Sequence, residues 1–235
     1  MFALKSFFGA GRAVLGLGLL AGVVAFGTST ASAAIESGLP AGGEKLTDFL
    51  SGGTFTGVQI GNFIFSNFSF TPVTSSPTAS SVALNSSVSG VGLTFSAPWS
   101  AASGSSNESI ISYEVTAVSG VINSMEYDYN GQVLAASTGT LTQVGETLTN
   151  NSSSQIGKST DSNGPAGPLK TTLSITTPQS PIFVATDVLA ASGTGGASSI
   201  SAVNNTFTQQ TVPEPATLGL MGIFGLTVLA RRRKV

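Results

Sequence analysis

Ile111-Ser112-Tyr113-Glu114-Val115-Thr116-Ala117 alternates apolar and polar residues at every step. In a β-strand, successive side chains point to opposite faces, so Ile111, Tyr113, Val115 and Ala117 share one face and Ser112, Glu114 and Thr116 the other. The same period of two recurs on both sides. Val82, Leu84 and Val88 alternate with polar or small residues, as do Val91, Leu93 and Phe95. Phe63 and Phe65 share a face while Phe68 and Phe70 fall in the opposite phase, so their strand is expected to kink near Ser66-Asn67. Tyr127 and Tyr129 lead into Asn130-Gly131, a two-residue hairpin signal. Further strands are expected over 132–136, 139–144, 170–176, 181–189 and 198–207. A short helix is expected over 44–51, where Leu46, Phe49 and Leu50 share a face and Gly52-Gly53 stop it. The polar, Gly/Pro-containing stretch 149–168 reads as a long flexible loop. The pattern specifies an all-β fold, a single antiparallel β-sandwich or jelly-roll-like domain with one short N-terminal helix.

The chain has 235 residues, 9 Lys+Arg, 11 Asp+Glu and neither His nor Cys. Without these two residue types, thiolate nucleophiles, Cys-ligated metals and the usual imidazole base are all excluded. Charge is unevenly placed. Between Ala34 and Val212 lie three cations and ten acids, a net −7. A segment of that sign repels phosphate backbones, which argues against a nucleic-acid partner. The other six cations flank two apolar runs at the chain ends.

At the start, Lys5 and Arg12 precede an apolar run over 13–27, followed by small residues through Ala34. This is the pattern of a secretory signal peptide over 1–33. Ala31 and Ala33 fit the A-x-A site for cleavage after Ala33; a cut after Ala34, using Ser32, is the second choice. At the other end, Pro213-Glu214-Pro215 precedes an uncharged run of fifteen residues, 216–230, and then Arg231-Arg232-Arg233-Lys234-Val235. As a helix the run spans about 22 Å, short of the ~30 Å hydrocarbon core. Snorkelling side chains and local thinning absorb such a mismatch, and the run shows no polar face. The four cations form a membrane stop signal that the positive-inside rule leaves in the cytoplasm. The two ends together imply an exported body over 34–211, a transmembrane segment over 216–230 and a cytoplasmic basic tail over 231–235. The two prolines hold Glu214 in extended, accessible backbone.

The segment 212–235, with Val212-Pro213-Glu214-Pro215-Ala216-Thr217, its apolar run and its basic cluster, closely resembles the PEP-CTERM sorting signal of Gram-negative bacteria that make extracellular polysaccharide. The resemblance implies that exosortase, a membrane protease or transpeptidase, recognises the Pro-Glu-Pro motif and processes the anchored precursor. The body resembles a recurrent type of PEP-CTERM protein at 46–55, at Ile60-Gly61-Asn62-Phe63-Ile64-Phe65-Ser66-Asn67-Phe68, at Ile111-Ser112-Tyr113 and at Val203-Asn204-Asn205-Thr206-Phe207-Thr208-Gln209. Members of that type often carry cysteines near the first of these segments, and this chain has none. The type has no single activity to carry over.

Paired carboxylates are the remaining route to chemistry, since two acids can hydrolyse a glycoside and oxygen ligands can hold Ca²⁺. Glu126 and Asp128 lie two apart, on one strand face, without an acidic Ca²⁺ loop around them. Glu108, Glu114, Glu146 and Asp187 are isolated in sequence, and Asp161 lies in the expected loop. Trp99, the only tryptophan, suits core packing better than a sugar-stacking platform. No catalytic residue, metal site or cofactor is expected. The reading is an exported, exosortase-processed surface or extracellular-matrix protein, noncatalytic and associated with exopolysaccharide or biofilm. The expected partners are signal peptidase, exosortase, the membrane as precursor and exopolysaccharide. The alternative is a secreted carbohydrate-binding or carboxylate-based glycan-active β-sandwich.

Overall fold

A computed structural model of the protein describes residues 34–74, 76–163 and 170–211. The expected signal peptide, transmembrane segment and basic tail lie outside the described residues. In chain order the strands are β1 (Ala34–Ser37), β2 (Glu44–Lys45), β3 (Phe55–Ile60), β4 (Phe63–Thr74), β5 (Ala83–Ser86), β6 (Gly92–Ala101) and β7 (Ser106–Ala117). They continue with β8 (Val121–Ala135), β9 (Leu141–Thr149), β10 (Gln155–Asn163), β11 (Lys170–Gln179), β12 (Ile182–Ala191) and β13 (Ala197–Gln210). One sheet has the order β1-β3-β4-β7-β12-β9-β10 and the other β11-β8-β13-β6-β5-β2. The pairings are antiparallel except that of β1 with β3. The chain thus forms the expected β-sandwich.

Alternation places the core between the sheets. β7 buries every second residue, including Ile111, Tyr113 and Val115, and β12 does so with Ile182, Val184 and Val188. From the facing sheet come Leu93, Phe95, Trp99, Val203 and Phe207. Aromatic rings bridge the layers, with Phe65 and Phe207 centroids 5.7 Å apart and Phe95 and Tyr113 5.5 Å apart. The Trp99 indole donates across the core to Ser109 Oγ at 2.8 Å. Tilted ring pairs at such separations add to the burial of their area.

The kink expected near Ser66-Asn67 is present: the β4–β7 register shifts between Ser66 and Ser69, and Asn67 has φ 53°. Its bulge moves Phe68 back into the core. Other local expectations differ. The helix over 44–51 is reduced to a 3-10 turn, Leu46–Phe49, because Glu44 and Lys45 pair with β5. Asn130-Gly131 does not turn but lies within β8, opposite Ala202 and Ile200. Gly131 serves a close approach instead, since a Cβ there would fall 2.6 Å from the Tyr129 ring. Among the described residues of 149–168, Asn150–Ser154 form a turn: Asn150 Oδ1 accepts from the Ser152 and Ser154 amides, each at 2.9 Å. β10 follows as a polar edge strand on β9, and 164–168 lie outside the described residues.

Gly92 lies at a close backbone approach in the six-stranded sheet. A Cβ at this position would fall well inside contact distance of the Asn205 carbonyl oxygen on β13. Gly92→Ala is therefore expected to lower stability by about 3 kcal/mol, the upper range for overpacking. Urea unfolding measures it, and an unchanged midpoint would contradict the approach of β6 to β13.

Candidate functional site

Two places bring chemistry together: the end of the sandwich from which the chain leaves, and a polar cluster inside it. β13 is the last strand among the described residues and lies between β8 and β6. It ends at Gln210, paired with Val121, and the β7–β8 turn closes over it. Gly120 has φ +76° and a Cβ on it would clash with the Gln210 carbonyl oxygen, so this turn requires glycine both for its backbone and for its clearance. Three residues beyond Gln210 comes Pro213. The sorting residues Pro213, Glu214 and Pro215, the cations Arg231, Arg232, Arg233 and Lys234, and the cleavage residues Ala31 and Ala33 lie outside the described residues. Ala34 is the first residue of β1 and pairs with Phe55.

The acids separate by face. Glu126 and Asp128 point to the outer face of the six-stranded sheet, where Glu126 meets Lys170 Nζ at 2.8 Å and Asp128 accepts from Asn204 Nδ2 at 2.8 Å. Asn204 in turn accepts from Thr94 Oγ1. Register puts Lys170, Asp128, Asn204, Thr94 and Asn85 in one row across five strands. Glu114, on the other sheet, accepts from Asn67 Nδ2 at 2.6 Å. Asp187 has its carboxyl pushed above the usual range by burial, with the charge of Glu108 adding. Among the described residues no three acids gather as a metal-binding group.

Glu146 is different. It is 1 % exposed, in phase with Val144 and Leu148 on the inner face of β9. Its Oε2 accepts from Thr186 Oγ1 at 3.0 Å; Thr186 Oγ1 accepts from Asn205 Nδ2 at 2.9 Å; and Asn205 Nδ2 also donates to Tyr113 Oη at 2.8 Å. The network links β9, β12 and β7 of one sheet to β13 of the other. Burial pushes the Glu146 carboxyl well above its usual range and outweighs the hydrogen bonds from Thr186 and Asn205. Burial also raises the Tyr113 and Tyr127 hydroxyls, with Glu146 adding to both and Asp161 to the latter. Glu146 Oε1 and Asn205 Oδ1 have no hydrogen-bond partner among the described residues. A neutral carboxyl supplies a donor here, whereas a carboxylate only accepts. A polysaccharide strand has no route to a carboxyl sealed this way, so Glu146 holds the sheets together and does not face a substrate.

The described residues also form open depressions, two of which bear on the site. One, about 460 Å³, is lined by Phe49, Gly52, Phe55, Asn67 and Phe68. The other, about 410 Å³, is lined by Leu39, Pro40, Asn85, Val88, Thr94 and Asn204. Neither contains a carboxylate pair.

The family profile described as PEP-CTERM protein-sorting motif matches residues 211–234. The chain carries a PEP-CTERM sorting motif. The match begins at Thr211, directly after the last residue of β13. The motif marks the chain as an exported protein whose membrane-anchored precursor is sorted by exosortase. No curated protein matches the sequence. Several solved structures resemble this chain's sandwich at low identity. TmCBM27, a carbohydrate-binding module described for specific mannan recognition, is 10 % identical with TM-score 0.35, over 64 % of this chain and 100 % of that one. TmCBM61, solved with β-1,4-galactotriose, is 10 % identical with TM-score 0.33, over 61 % of this chain and 90 % of that one. A Bacillus subtilis arabinoxylan arabinofuranohydrolase of glycoside hydrolase family 43 is 15 % identical with TM-score 0.26, over 63 % of this chain and 25 % of that one. At such values the likeness concerns the fold alone.

In the body of this chain, the Glu146 network is what sequence reasoning missed. Its signal was present, because Thr142, Val144, Glu146 and Leu148 continue one alternating face. Its partners Tyr113, Thr186 and Asn205 come from three other strands, and no local pattern brings them together.

Proposed function

We propose that the protein is a noncatalytic component of the cell surface or extracellular matrix, released from its membrane anchor by exosortase acting at Pro213-Glu214-Pro215 and associated there with exopolysaccharide. The observation that carries this reading is continuity: the central strand of one sheet runs into the sorting motif with no intervening linker. The folded body and the processing site are then one unit, and the segment 216–235 is an anchor and stop signal that is discarded or exchanged. Signal peptidase acts first, after Ala33. The body's outer surface supports a binding role over a catalytic one. Its polar row from Lys170 to Asn85 presents amide, hydroxyl and carboxylate groups, the chemistry that hydrogen-bonds sugar hydroxyls.

Replacing Pro213, Glu214 and Pro215 with alanine in the native host tests the sorting step. The variant is expected to remain in the membrane fraction with its basic tail, while the wild-type product is released and lacks it. Mass spectrometry of both termini reads the outcome, with Ala34 expected as the first residue. An unchanged size and location of the variant overturns the exosortase reading.

A further inference from the structure

We infer that the end of the sandwich carrying Val88, Val91 and Val118 rests against the lipid headgroup surface while the precursor is anchored. This rests on the reading of 216–230 as the anchor. Val118 is 54 % exposed, Val91 39 % and Val88 97 %. They belong to one surface. The Val118 amide donates to the Asn62 carbonyl, Val91 lies against Gly61 of the same turn, and the Val91 carbonyl accepts from Phe207 of β13. Gly120, two residues after Val118, touches Gln210 and Thr211, where the chain leaves the fold.

The leash to the membrane is short. Five residues, Thr211-Val212-Pro213-Glu214-Pro215, separate Gln210 from the apolar run. Fully extended, they reach at most about 20 Å, and the polar layer of a leaflet is itself about 5–8 Å deep. This end of the body is therefore held beside the headgroups whatever the backbone of the leash does. Its chemistry fits that neighbour. The turns 61–62, 87–91 and 118–120 and the exit 210–211 contain no charged side chain, so the net −7 of the body is kept away from anionic lipids. The exposed valines enter the interfacial layer and shed water there. Of the other exposed large apolar residues among those described, Ile35 lies on edge strand β1 beside Gly57, and Val73 and Leu134 lie at the opposite end of the sandwich.

The absence of native cysteine allows a single label per variant. Val88→Cys, Val118→Cys and Leu134→Cys, each carrying an environment-sensitive fluorophore, are to be made in the anchored chain. That chain is isolated from the membrane of an exporting host without exosortase and placed in vesicles of phosphatidylethanolamine and phosphatidylglycerol. Nitroxide-labelled headgroups are expected to quench most of the emission at positions 88 and 118 and leave 134 unquenched. Trp99 emission in each variant reports whether the body has folded. Folded, vesicle-bound chain quenched equally at all three positions, or at none, overturns the inference and leaves the sorting reading intact. Chain that does not stay with the vesicles overturns the anchor reading and this one with it.

Discussion

Above about pH 4.5, the protein is expected to lose unfolding free energy at up to about 1.4 kcal/mol per pH unit, and Glu146→Gln is expected to flatten that slope. The sign follows from where the proton resides. In the unfolded chain Glu146 ionises near its ordinary value of 4.5, while in the fold its burial holds the proton well above that. The folded state therefore binds more protons than the unfolded state throughout the interval between the two values. The stabilisation is complete below the unfolded value and is lost as pH rises through the folded one. Asp187, also raised by burial, contributes in the same direction from its lower starting value. Glutamine keeps an acceptor for Thr186 Oγ1 and brings amide donors to a site where Asn205 Oδ1 has no partner. Urea unfolding at a series of pH values measures both proteins. Parallel slopes for wild type and Glu146→Gln would show that Glu146 is not protonated in the fold.

Trp99→Ala is expected to lower stability by about 3–5 kcal/mol. The indole is 0 % exposed, sits on β6 opposite Ile200, and its removal leaves a void between the sheets. It also strips the donor from Ser109 Oγ, which is buried on β7. Trp99→Phe keeps an aromatic ring but loses the N–H together with three ring atoms, so a smaller loss than for alanine, about 1–3 kcal/mol, is expected. Because Trp99 is the chain's only tryptophan, wild-type emission should be blue-shifted when folded and move to the red on unfolding. Soluble glycans should leave it unchanged. A Trp99→Ala protein with the wild-type midpoint, or a wild-type spectrum already red, would contradict the core placement.

What could be read from the chain depended on whether the cause of each element was local. The alternation at 111–117 is a local consequence of one buried face, and β7 follows it. The phase change between Phe65 and Phe68 foretold the bulge at Asn67 because the inward face must change there. Asn130-Gly131 misled because the same two residues serve a turn or a tight packing contact, and only the Tyr129 ring decides between them. β10 was invisible for a different reason. As an edge strand with little to bury, it needs no alternation, and its polar sequence looks like a loop until β9 is placed beside it. Among the acids, the exposed partners Glu126 and Asp128 were recognisable as a pair on one face. Glu146 gained its character from residues far away in sequence, which a reading of isolated acids cannot assemble.

The position of β13 also dictates the order in which the molecule can be completed. Without it, the six-stranded sheet is two unjoined parts, β11-β8 and β6-β5-β2. An exported chain emerges from its N-terminus, so the strand that joins these parts is the last of the body to leave the translocation channel. Full assembly waits until Gln210 is outside, by which point the apolar run is the next segment to arrive. On the proposed reading of 216–230 as the anchor, closure of the sandwich and arrest in the bilayer fall within a few residues of one another.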